Sequence, residues 1–209
     1  MKFIRHFLVV LAMLCATQAF AAPQLGKEYK LLNPSQPTHS GKKIEVLEFF
    51  FYGCIHCYHL HPKLSAWEKT MPGDVEITYV PVVFRDSWEP MANTFYALEL
   101  MGKRNQQIDD ALYDAWNVNN IDLSDEAKIG AFLARHGVDS NKFREYYNSF
   151  TVETRVLRSK QMLQLYHITG TPTLVVDGKY VIEGLEPDDI IKTLNVVIDR
   201  VRKEHAGKH

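Results

Sequence analysis

Apolar positions fall into two kinds of run along the chain. The stretch Ile44-Glu-Val-Leu-Glu-Phe-Phe-Phe51 is β-branched and aromatic with few breaks, the pattern of a central strand buried on both faces. Tyr52-Gly53 interrupts it. From Cys54 onward, Ile55, Tyr58, Leu60 or His61, Leu64 and Trp67 recur at the spacing of a helix that ends near Met71-Pro72-Gly73. Val75 to Phe84 then alternates weakly and predicts a second strand. This strand-helix-strand unit carries two cysteines at the start of its helix.

The pattern changes between Ser87 and Tyr166, where helical spacing dominates. Segments are predicted at Met91 to Met101, Gln107 to Trp116, Asp125 to His136, Asn141 to Phe150 and Val152 to Tyr166. Ser124 and Ser140 are expected to cap two of them, and Gly137 to stop one. Connections in compact domains are short, so this stretch is read as a helical subdomain inserted into an α/β domain. Short strands resume at Thr173 to Val176 and Tyr180 to Ile182 around an Asp177-Gly178 turn. Pro187 opens a closing amphipathic helix through Ile190, Leu194, Val197 and Val201, with Arg202 to His209 expected to fray. The resulting division is 1–21, an α/β domain in two segments at 22–86 and 167–209, and a helical insertion at 87–166.

Residues 1–21 are set apart because they read as an export signal. Lys2, Arg5 and His6 precede the apolar run Phe7 to Ala16, too short to span a bilayer, and Ala19-Phe20-Ala21 predicts cleavage after Ala21. Cys15 follows Met13 and Leu14 rather than small residues, so it is expected to fill the apolar run and not to carry a lipid. With 209 residues and 46% hydrophobic content, the chain can bury one sizeable core and a second small one. A formal charge of -1 gives no ground for a nucleic-acid partner.

Export leaves Cys54 and Cys57 in an oxidising compartment. A disulfide across two residues closes too small a loop to be an effective staple, so reactivity explains the pair better. At a helix N-terminus the free N–H groups and the helix dipole favour a thiolate at Cys54, and a protonated His56 would add to this. Stabilising that thiolate relative to the disulfide makes the pair an oxidant. Cys57, further into the helix, is then the buried resolving thiol.

Phe49-Phe-Phe-Tyr-Gly-Cys-Ile-His-Cys-Tyr58, the helical insertion and Gly170-Thr-Pro-Thr-Leu-Val-Val-Asp-Gly-Lys-Tyr180, in that order, resemble the DsbA-like periplasmic thiol:disulfide oxidoreductases. The resemblance covers nearly the whole chain after the signal. It implies a thioredoxin fold with an inserted helical subdomain and oxidation of folding secreted proteins that carry free thiols. It also implies reoxidation by a quinone-linked membrane oxidase resembling DsbB, and no bound cofactor besides the Cys54–Cys57 disulfide. Carried over by position, Cys54 is the nucleophile, Cys57 resolves, and His56 stabilises the thiolate. Pro172 follows a cis peptide bond, and Thr171 offers its backbone to substrate. Glu48 matches a buried acid that moves the proton of the second cysteine, but the lysine that accompanies such an acid is missing, with Tyr79 near its place. Ile55 stands where the family commonly has proline, leaving the oxidising power open. Thr171 is also the residue type of disulfide isomerases, so isomerase or reductase activity of the same fold is the alternative reading. Dimeric isomerases carry a dimerisation domain for which the stretch before Ile44 is too short, which favours a monomeric oxidase.

Simpler readings compete for several residues. On pattern alone Glu48 is a carboxylate facing water, and His59 and His61 are solvated helix positions. A metal-binding chaperone is the alternative from another class. No metal site is expected: Tyr58, not histidine, follows the second cysteine, and there is no second Cys-x-x-Cys. Trp67, Trp88 and Trp116 are expected to pack rather than stack on ligand.

Overall fold

A computed structural model of the chain describes residues 22–207, so the export signal, its cleavage point and Cys15 lie outside the described residues. Five strands form one mixed sheet: β1 (Lys30–Leu31), β2 (Ile44–Phe50), β3 (Val75–Pro81), β4 (Thr173–Val176) and β5 (Tyr180–Glu183), in the order β1-β5-β4-β2-β3. Every residue of β2 is buried, as its nearly continuous apolar run predicts, and the burial extends to Glu45 and Glu48. It pairs in parallel with β3 and antiparallel with β4. Its side chains serve two cores. Ile44 and Val46 join Leu60, Leu64, Leu194 and Val197 in one, while Leu47 and Phe49 join Phe95, Leu112 and Val156 in the other. The strand before the cysteines is thereby clamped from both sides.

Helix α1 (Ile55–Glu68) connects β2 to β3. The insertion follows as α2 (Glu89–Leu100), α3 (Gln106–Asn117), α4 (Glu126–Ala134), α5 (Ser140–Tyr147) and α6 (Phe150–Leu165), and α7 (Pro187–Ala206) closes the chain. Helix α1 packs between α7 and α3, so the helical insertion touches the element that carries the cysteines.

Several expectations need correction. The caps are Asp125 and Asp139 rather than Ser124 and Ser140, because each aspartate oxygen accepts the backbone N–H groups of the first turn. The segment from Asn141 to Phe150 ends at Tyr147, and Ser149 caps α6 in its place. Helix α7 continues to Ala206 instead of fraying from Arg202, whose guanidinium grips Asp74 at 2.6 and 2.9 Å. Strand β1 was too short to show a period. It exists by pairing antiparallel with β5.

Candidate functional site

The site is built where β2 ends and α1 begins. Cys54 is the N-cap of α1 in an extended backbone conformation, half-buried, and Cys57 is buried one turn along the helix. Both are free thiols. The loop before β4 closes the other side: the Thr171–Pro172 bond is cis, and the Cys54 thiol donates to the Thr171 carbonyl at 3.3 Å. A groove of about 380 Å³ runs from His56 along Thr171, Pro172 and Thr173 to Leu185. Ile55, between Cys54 and His56 in the chain, is 44% exposed.

Electrostatics divides the two thiols. The Cys54 thiol is brought down to about 5, chiefly by a hydrogen bond with the Cys57 side chain; burial works against this, and the Thr171 side chain and the N–H groups of Cys57 and His56 add to it. His56 thus acts through its backbone, while its ring is exposed on the groove. Burial pushes the Cys57 thiol well above its ordinary value, and the neighbouring Cys54 and Glu48 push it the same way. One helix start therefore holds an ionised sulfur and a protonated one at neutral pH.

Glu48 is 2% exposed on β2, so the reading of a carboxylate in water does not hold. Burial raises it to about 8; Arg104 opposes the rise, and Asp109, Glu68 and Cys54 reinforce it. Tyr79 is its register partner on β3 and donates to Glu68 at 2.8 Å. The nearby cation comes from elsewhere. Arg104, between α2 and α3, lies over the Tyr79 ring at 4.3 Å and meets Asp109 at 3.0 Å. Asp109, 4% exposed, accepts from the Tyr52 hydroxyl at 2.5 Å. Sequence reasoning missed Arg104 and Asp109. The available signal was a carboxylate in line with Leu112, Tyr113 and Trp116 on the apolar face of α3.

The histidines near the cysteines separate. His59 is exposed, whereas His61 is buried against Tyr113 and pairs with Asp110 at 2.8 Å, so it is not a solvated position. Among the described residues no group of three or more His, Cys, Asp or Glu is arranged to hold a metal. The tryptophans pack. Trp88 stacks on Phe51 with centroids 3.9 Å apart, Trp116 meets the same ring edge-on, and Trp67 donates to Asn195.

Comparison with known proteins places this arrangement. Residues 45–194 match the family described as DSBA-like thioredoxin domain. The thiol:disulfide interchange protein DsbA of Burkholderia cepacia is 39% identical over 161 residues, 77% of this chain and 76% of that protein. Its namesake from Pseudomonas aeruginosa is 34% identical over 85% of both chains. Among solved structures, Pseudomonas aeruginosa DsbA superposes with a TM-score of 0.84 at 33% identity, covering 90% of this chain and 97% of the other. The oxidoreductase DsbA from Xylella fastidiosa gives 0.81 at 29% identity, covering 88% and 100%.

Proposed function

The chain belongs to the DsbA-like thioredoxin family and is a thiol:disulfide oxidoreductase, and from that premise we propose that Cys54 and Cys57 are the pair with which it oxidises folding exported proteins in the periplasm. The observation that carries this reading is the opposed proton affinity of two sulfurs at one helix start. A substrate thiolate attacks Cys54 Sγ of the disulfide, and the Cys54–Cys57 bond breaks. Cys57 leaves as a thiolate and takes a proton from Glu48, whose raised affinity keeps one available at neutral pH. A second substrate thiolate attacks the substrate sulfur of the mixed disulfide, and Cys54 departs as a stable thiolate. Two electrons pass from the substrate to the pair, and a quinone-linked membrane partner resembling DsbB removes them.

Thr171 and Pro172 border the groove and are the proposed seat of an extended substrate segment, with His56 in its wall and the exposed Ile55 next to His56 in the chain. Residues 22–86 and 167–209 form the proposed thioredoxin part, and 87–166 its helical insertion. No helix among the described residues is long and apolar enough to cross a membrane.

Replacing Cys57 with alanine tests the division of labour. Cys57→Ala should accumulate mixed disulfides with thiol-bearing proteins through Cys54, resolved by mass spectrometry of the trapped species. Trapping through any other residue, or none at all alongside unimpaired oxidation of a dithiol peptide, contradicts the assignment.

A further inference from the structure

Glu48 and Arg104 each keep one buried polar atom without a hydrogen-bond partner, Oε1 of the first and Nε of the second. Such groups are costly to leave unmet, so two of opposite charge character near one redox pair call for a physical account. Arg104 is fixed from both ends. Its backbone N–H donates to the Leu98 carbonyl at 3.1 Å, and its guanidinium is held by Asp109 and by the faces of Tyr79 and Phe95, at 4.3 and 4.7 Å. Tyr79 stands directly beside Glu48 on the neighbouring strand. Tyr79 and Arg104 together line an open cavity of about 420 Å³, with Ser65, Glu68 and Asp109 also in its wall.

We propose that Arg104 is the positioning residue for the proton that Glu48 exchanges with Cys57, acting from the wall of a cavity that Tyr79 separates from Glu48. The proposal rests on the role given above to Cys57 and Glu48. Arg104, Asp109 from α3, Glu68 from α1 and Cys54 at its start are the charges that act on Glu48; Tyr79, Tyr113 and Cys57 feel its charge in turn. Arg104 is the cation among them. When Glu48 hands its proton to Cys57 Sγ, the carboxylate left behind is buried, and a nearby guanidinium is what limits the penalty of that charge. A proton from solvent then returns to the carboxylate and completes the cycle, with no change in covalent bonding beyond the disulfide exchange. The insertion, through Arg104, would thus govern proton transfer in the thioredoxin part.

The test is the pH dependence of dithiol-peptide oxidation by the full-length exported protein and its variants, compared with the same variants in a Glu48→Gln background. Without the cation, Arg104→Met should move the Glu48-dependent inflection upward by about one pH unit or more. Arg104→Gln, which keeps a hydrogen-bonding head and loses the charge, should do the same if the methionine variant does not fold. Arg104→Lys should return the inflection toward the wild-type pH, and none of the three should displace the profile once Glu48 is glutamine. An unmoved inflection in Arg104→Gln, or an equal displacement without Glu48, overturns the role of Arg104 alone. A wild type with no Glu48-dependent inflection overturns that role and the proton-transfer reading beneath it.

Discussion

At the scale of the residue, chemistry is decided by which groups reach one sulfur. Cys54 receives N–H groups of the first turn of α1, the Cys57 side chain and the Thr171 side chain, while Cys57 three residues on receives burial. Removing the Thr171 contribution has a defined sign: Thr171→Val should raise the Cys54 midpoint, read from the thiolate absorbance of the reduced protein as pH is varied. A midpoint that stays or falls would show that the hydroxyl plays no part in holding the thiolate. The placement of the two thiols, one at the helix start and the other a turn inside it, was legible because two cysteines separated by two residues open a helical pattern. Arg104 was not legible, because its partners Tyr79, Phe95 and Asp109 come from β3, α2 and α3 and converge only in the fold.

At the scale of the element, β2 carries a contradiction that the sequence displays but does not resolve. A nearly continuous apolar run predicts burial on both faces, and the structure buries all seven positions, Glu45 and Glu48 among them. Whether an acid in such a run turns to water depends on the neighbouring strands and helices, which period alone cannot place. The burial of Glu48 has a cost with a known pH sense. Its folded-state value near 8 lies above the ordinary 4.5, so the folded state holds the proton more tightly, and stability falls as pH rises from about 4.5 through about 8. Glu48→Gln lacks this loss. Denaturant unfolding should find Glu48→Gln more stable than wild type by a few kcal/mol near pH 9, with the gap closing toward pH 4. A constant gap across that range would mean that Glu48 is not buried as a proton carrier. The turn between β4 and β5 is the opposite case, fully legible: Asp177 and Gly178 take φ of 54° and 61°, as the Asp-Gly pair predicts for a tight hairpin.

At the scale of the whole molecule, the thioredoxin part and the helical insertion share one site, since Cys54 and Glu48 stand on the first and Arg104 and Asp109 on the second. The alternation of strand and helix periods made the insertion visible before any contact was known. What stayed hidden was its electrostatic reach into the sheet, because hydrophobic pattern places elements and not the few charges between them. An oxidant is a protein whose fold is more stable with its pair reduced, and that difference can be measured directly. Reduced and oxidised forms of the chain should be unfolded in denaturant across pH. In the reduced form Cys54 titrates near 5, below its ordinary value of 9.0, so its contribution is fully present above pH 9, is smaller at pH 7, and is lost as pH falls through 5. Glu48 is buried in both forms and the Cys54 charge that raises it belongs to the reduced one, but at pH 7, below its value of about 8, it keeps its proton and leaves the sign of the difference to the cysteines. The reduced form is expected to be the more stable at pH 7, with its advantage shrinking toward pH 4; an oxidised form that is the more stable at pH 7 would contradict the account.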